Sequence, residues 1–191
     1  EPLFTFIGRL TAQKGVDILL DAIGELLTQG DKPRVLFFGS GAQELESQLE
    51  QMASSASGAG YVCFYKGYDP ILANQVYAAG DFFLIPSRYE PCGLTDYIAQ
   101  LLGNLPVVHR VGGLVKVQDG ETGFAYANNT PKTLAAAMQR ASAVFRDDPA
   151  RIQEMQRAAV KRIQRYHTWE KVMEEYLRLY RQATQQVRQG W

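Results

Sequence analysis

The chain has 191 residues, 46% of them hydrophobic and 21% charged, enough for one domain with a full core. Its 20 basic residues balance 20 acidic ones, which speaks against broad attraction to nucleic acid. Two cysteines are too few for a disulfide framework or a zinc site and fit a reducing compartment; no apolar run approaches the length of a bilayer span, and no signal peptide is visible.

Strand-like and helix-like segments alternate. Leu3–Gly8 reads as a strand that starts almost at once, without a leader, so the chain is expected to be cut from something larger. Gly15–Gln29 reads as a helix with Val16, Leu19, Leu20, Ile23, Leu26 and Leu27 on one face. Arg34–Gly39 is the second strand. Gln43–Ser54 is a polar helix with Leu45, Leu49 and Met52 on its inner side. Ser54–Gly60 is a surface loop. Tyr61–Tyr65 is a third strand, with Cys63 in it as a small hydrophobe. Pro70–Ala79 is a helix, and Phe82–Ile85 a buried strand. Thr95–Leu102 is a helix announced by Leu94, Ile98, Leu101 and Leu102 at helical spacing and ended by Gly103-Asn104. Pro106–His109 and Gly123–Tyr126 are short strands. Pro131–Phe145, Ala150–Arg165 and Thr168–Val187 are helices, the first marked by Thr130 before Pro131. The last carries Trp169, Val172, Met173, Tyr176, Leu177 and Tyr180 as an apolar stripe. That stripe either packs on this domain's own sheet, the ordinary fate of such a face, or docks on a partner domain.

Regular β-α alternation predicts an α/β fold, a parallel sheet with helices on both faces and right-handed crossovers. Residues 1–191 read as a single domain that includes the helices over 150–188.

The run Ser87-Arg88-Tyr89-Glu90-Pro91-Cys92-Gly93-Leu94 joins a buried strand to a helix start. Ligands of open α/β sheets gather at the carboxyl ends of strands. Unpaired amides and the helix dipole favour an anion there. Glu90 can accept hydroxyl hydrogen bonds, while the amides of Gly93, Leu94 and Thr95 can hold a phosphate. An acid for hydroxyls beside amides for phosphate suits a sugar phosphate or a nucleotide sugar; the bland alternative is a loop capping an ordinary helix. The loop from Gly8 to Gly15 places Arg9 and Lys14 near the end of the first strand, where a fork and a point charge suit a diphosphate. It is not a P-loop. Gly39-Ser40-Gly41 ends the second strand, and Gly67-Tyr68 follows the third, where Tyr68 either stacks on a flat base or packs in the core. Gly112-Gly113 either lines the same crevice or turns the chain. His109 reads as structural and His167 as a surface residue; neither has a nucleophile partner, which argues against a Ser-His-Asp hydrolase.

Taken together, Phe6-Ile7-Gly8-Arg9-Leu10, Gln13-Lys14-Gly15, Gly67-Tyr68, Pro86 to Leu94, and Pro106-Val107-Val108-His109 with Gly112-Gly113-Leu114 resemble bacterial glycogen synthases and plant starch synthases. The resemblance covers the C-terminal half of such enzymes, and the closing helix is similar too. It implies a Rossmann-like domain, the C-terminal half of the two-domain GT-B architecture, binding ADP-glucose as donor with no metal. By this resemblance Arg9 and Lys14 are the phosphate-binding pair, and Tyr68 is the adenine-stacking position. Glu90 is the acid near the donor glucose. Gly93, Leu94 and Thr95 supply the amides at the distal phosphate. Gly8, Cys92, Gly112 and Gly113 complete the expected lining. It also implies an α-glucan acceptor, and an N-terminal domain not contained in this chain, with a glycine-rich loop and a catalytic histidine. The chain alone is therefore predicted inactive. The setting implied is cytoplasmic, or plastid for a plant source, with no nucleic-acid or membrane partner. Two departures stand out: Val115-Lys116-Val117 replaces the family's Asp-Thr-Val, and Ile98 stands where the wider superfamily often has a second glutamate. The alternatives are a GT-B transferase with another nucleotide sugar and acceptor, or a non-catalytic nucleotide-binding module.

Overall fold

The computed structural model describes residues 1–188. Six parallel strands form one sheet in the order β3-β2-β1-β4-β5-β6. They are β1 (Leu3–Ile7), β2 (Arg34–Gly39), β3 (Val62–Lys66), β4 (Phe82–Ile85), β5 (Leu105–His109) and β6 (Phe124–Tyr126). The helices are α1 (Val16–Thr28), α2 (Gln43–Ser54), α3 (Pro70–Ala79), α4 (Leu94–Leu101), α5 (Pro131–Asp147), α6 (Pro149–Tyr166) and α7 (Trp169–Arg188). Every strand but the last is thus followed by a crossover, and the α/β fold expected from the alternation is the one observed.

Side chains of a strand alternate between faces, and the core divides accordingly. Phe82 and Leu84 of β4 join Phe4, Phe37, Leu19, Ile23, Leu134 and Met138 in the larger cluster. Phe83 and Ile85 face the other way, with Tyr77, Ala99, Val108 and Leu114. The central strands β1, β4 and β5 are buried on both sides, which is why they read as short continuous apolar runs. Helix starts follow their chemistry. Asp69 caps α3 by accepting from Ile71 N at 2.8 Å and Leu72 N at 3.1 Å, with Pro70 at the first helical position. Thr130 and Thr133 cap α5 reciprocally, again with proline first.

Four expectations are corrected. The apolar residues Leu94, Ile98, Leu101 and Leu102 do not mark the buried face of α4. All four are exposed, and the helix buries Asp96, Ala99 and Gln100 instead. The reason is that a polar partner, Lys116, waits on the inner side of the helix (below). Cys63 lies in β3 as expected but is exposed, because β3 is an edge strand covered on one side only. His167 is half-buried against Tyr97, their ring centroids 5.1 Å apart. Burial together with the nearby Arg162 and Lys116 charges pushes its imidazole pKa down. The stripe on α7 does not pack on the sheet: Trp169 is 78% exposed, and Met173, Tyr176, Leu177 and Tyr180 are exposed with it, while Val172 is half-buried. Among the described residues no helix is long and apolar enough to cross a membrane.

Candidate functional site

Strand order reverses between β1 and β4, which is where an open α/β sheet opens a crevice at its carboxyl edge. The loops after those two strands, residues 8–15 and 86–93, therefore flank one crevice, as their sequences suggested.

The two loops are locked together. Gly15 sits at φ +70°, and a Cβ there would lie 1.9 Å from the Pro86 carbonyl oxygen, so only glycine permits this approach. Arg88 N donates to Gln13 O at 2.9 Å. The Arg88 guanidinium forks onto Asp17 with both contacts at 2.6 Å and also reaches Ala12 O. This hydrogen-bonded cation holds the Asp17 carboxyl below the usual carboxylate range. The Arg88–Asp17 tie was not anticipated. It spans 71 residues and follows no local spacing that a sequence could display.

Within that frame Lys14 Nζ meets Glu90 Oε2 at 2.6 Å, and Ser87 Oγ donates to the same oxygen at 3.3 Å. Glu90 is only 8% exposed. Its Oε1 has no hydrogen-bond partner among the described residues, leaving one acceptor oxygen for a ligand hydroxyl. Lys14 and Glu90, read from the sequence as groups with separate tasks, form a pair in the structure. Arg9 is exposed on the same loop and pairs with no carboxylate among the described residues.

Helix α4 begins at Leu94, with Gly93 at its N-cap in the left-handed region and no side-chain cap. Its first amides therefore lack intrahelical acceptors. Gly112 and Gly113 press on the loop before it. A Cβ on Gly112 would lie 2.2 Å from Glu90 O, and one on Gly113 2.1 Å from Cys92 O, while Gly113 N donates to Glu90 O at 2.8 Å. Their observed contacts thus support the loop that carries Glu90. Cys92 is exposed on that loop, and Thr95 lies in the first turn of α4. His109 bridges, with Nδ1 2.7 Å from Ser87 O and Nε2 3.1 Å from Ala127 O, in keeping with its structural reading.

Tyr68 follows β3 at the same sheet edge and is 88% exposed. The core-packing alternative for this residue is therefore excluded, and the ring face is available to a planar ligand. A cavity of about 590 Å³ lined by Leu26, Asp31, Tyr61, Met138 and Arg146 lies at the opposite, amino edge of the sheet, away from all of these groups.

The strand order and the paired loops at its reversal define a Rossmann-like, doubly wound domain. The chain belongs to the family of glycosyl transferases group 1, whose pattern it matches over residues 1–143. It is 35% identical over 195 residues to glycogen synthase 2 of Nitrosococcus oceani, covering 97% of this chain and 38% of that protein. It is 35% identical over 182 residues to glycogen synthase of Thermodesulfovibrio yellowstonii, covering 95% and 35%. The catalytic domain of starch synthase IV from Arabidopsis thaliana, bound to ADP and acarbose, superposes with a TM-score of 0.78 at 25% identity, covering 95% of this chain and 38% of that one. Sucrose-phosphate synthase from Thermosynechococcus elongatus gives 0.76 at 26% identity, covering 96% and 46%. The chain thus spans little more than a third of the length of the curated relatives it matches.

Proposed function

We propose that this chain is the donor-binding domain of a retaining glucosyltransferase that elongates α-1,4-glucan from ADP-glucose. The observation that carries the reading is the convergence at one sheet edge of Arg9, the Lys14–Glu90 pair, the open N-terminus of α4 and the exposed Tyr68. The glycogen synthases among its relatives, and the ADP and acarbose bound to its starch synthase neighbour, supply the donor and acceptor classes.

In this reading the glycosidic bond of the donor breaks and negative charge grows on the departing diphosphate. Lys14, held by Glu90, and the amides of Gly93, Leu94 and Thr95 meet that charge from fixed positions, and the exposed Arg9 adds its guanidinium. No metal ion is invoked. Glu90 has two tasks: Oε2 holds Lys14 in place, and Oε1 accepts from a sugar hydroxyl. Tyr68 covers the base. The acceptor glucan is held by an N-terminal domain of the whole protein, and the apolar face of α7 docks on that domain. The chain alone brings no acceptor into reach and transfers no glucose. A cytoplasmic setting belongs with this reading.

A calorimetric titration of the chain with ADP, UDP and GDP tests it. ADP is expected to bind at least about tenfold tighter than the other two. Tighter binding of UDP or GDP would move the protein to another nucleotide sugar, a reading that its likeness to a sucrose-phosphate synthase and its Lys116 and Ile98 departures favour. Absence of binding to all three would sink the donor-site reading. Robust glucan elongation by the chain alone would refute the need for a second domain.

A further inference from the structure

Lys116 lies in the short 3-10 turn Gly112–Lys116 after β5, on the inner side of α4. Its ammonium is 2.8 Å from Cys92 O and 2.6 Å from Gly93 O. It also stands 3.2 Å from Asp96 Oδ1 and 3.6 Å from the centroid of the Tyr97 ring. Asp96 is fully buried, and among the described residues Lys116 is its only cationic partner. Gln100 Nε2 approaches the other carboxylate oxygen at 3.3 Å.

These contacts have a geometric consequence. In a trans peptide the carbonyl and the N–H point in opposite directions. Drawing Cys92 O and Gly93 O inward onto Lys116 therefore turns the N–H groups of Gly93 and Leu94 outward. Neither amide donates to any acceptor among the described residues. The half-buried ammonium thus places two of its three donors on consecutive backbone carbonyls at a helix N-cap.

We infer that Lys116 is a positioning residue that aims the amides of Gly93 and Leu94 at the distal phosphate of a nucleoside diphosphate, with Asp96 as the buried anchor that keeps the ammonium beneath the loop. The inference rests on the donor-site reading above and adds the group that orients its anion cradle. Lys116 does not touch the ligand; it acts through the two peptide planes.

The test compares ligands that differ by one phosphate. Lys116→Met alone strands a buried carboxylate, so the decisive variant is Lys116→Met with Asp96→Asn, which removes both charges at nearly constant volume. Titrated beside the parent chain, it should bind ADP about tenfold more weakly, the scale of losing well-aimed charge-assisted hydrogen bonds. Its affinity for AMP should change by less than about twofold. In parallel, amide resonances of Gly93 and Leu94 are followed while inorganic pyrophosphate is added. They should shift in the parent chain and stay still in the variant. Equal losses for AMP and ADP, or an unchanged ADP affinity in the folded variant, would overturn the positioning role. So would pyrophosphate shifts that persist in the variant or are absent from the parent. Should the parent chain bind no nucleotide yet show the pyrophosphate shifts, the donor reading fails while the orienting role is judged by the variant's response.

Discussion

The two ends of the candidate site are built in opposite ways. At the end proposed for the phosphates, backbone rests on backbone: Gly15 against Pro86, Gly112 against Glu90, Gly113 against Cys92, with Lys14–Glu90, Arg88–Asp17 and Lys116–Asp96 tying the loops across. At the end proposed for the base, Tyr68 projects from the loop after the edge strand with little around it. The difference follows from the tasks proposed for the two ends. Charge that develops in a transition state is best met by groups already fixed in place. A flat base needs only a flat surface, and a ring held by two χ angles provides one cheaply.

The largest effect should come from the two loop cations. Lys14→Ala or Arg9→Ala in the full-length protein is expected to lower glucan elongation by about 10²- to 10³-fold, as for loss of one key charge stabiliser. Near-normal turnover in both variants would mean that the two cations are solvated bystanders and the contrast between the ends is empty. The next largest concerns the backbone approach. Gly15→Ala must place a Cβ 1.9 Å from Pro86 O at φ +70°, at an expected cost of about 2–4 kcal/mol. A melting temperature within a degree of the parent would show that the loops are looser than their contacts imply.

The base end should respond in affinity and not in stability. Tyr68→Ala is expected to weaken ADP binding by about 5- to 150-fold, on a scale borrowed from aromatic–base stacking. Tyr68→Phe should be mild, since stacking does not need the hydroxyl. Because the residue is 88% exposed, neither variant should lower the melting temperature appreciably. Early melting of Tyr68→Ala with normal ADP binding by its folded fraction would reverse the assignment.

A smaller effect sharpens the picture of the phosphate end. Burial raises the Asp96 carboxyl from 3.8 to about 6, against the opposing pull of Lys116. Tyr77 and Tyr97, both pushed up to about 12 by burial, stay neutral beside it, and Gln100 carries no charge. A raised folded-state pKa means that the folded chain keeps a proton the unfolded chain has lost. This stabilisation is full below about pH 4 and disappears as pH rises through 6. The stability of the parent chain minus that of Asp96→Asn should therefore fall by about 1–3 kcal/mol between pH 4 and 7. His167, which titrates nearby, is common to both and cancels. A difference that is flat or rises with pH, measured by urea unfolding, would mean that the carboxyl is not held in this way.

The sequence by itself determined the alternation of strands and helices, because a strand buried on both faces must be continuously apolar and a helix lying on it must be periodic. It also placed Arg9, Lys14, Tyr68 and Glu90 at the ends of strands, since the residues after a parallel strand must emerge at the carboxyl edge. Local rules could not reach further. Thr130 before Pro131 announced its helix because a cap is a contact over two or three residues. The Lys14–Glu90 pair joins positions 76 residues apart. The side of α4 that is buried was decided by Lys116, not by the helix's own apolar spacing, so Leu94, Ile98 and Leu101 face solvent while Asp96 is enclosed. The stripe of α7 has the period of a core helix, yet the sheet is already covered, and the stripe stays exposed. Periodicity tells that a face exists; only the packing of the other elements decides what, within this chain, is left to cover it.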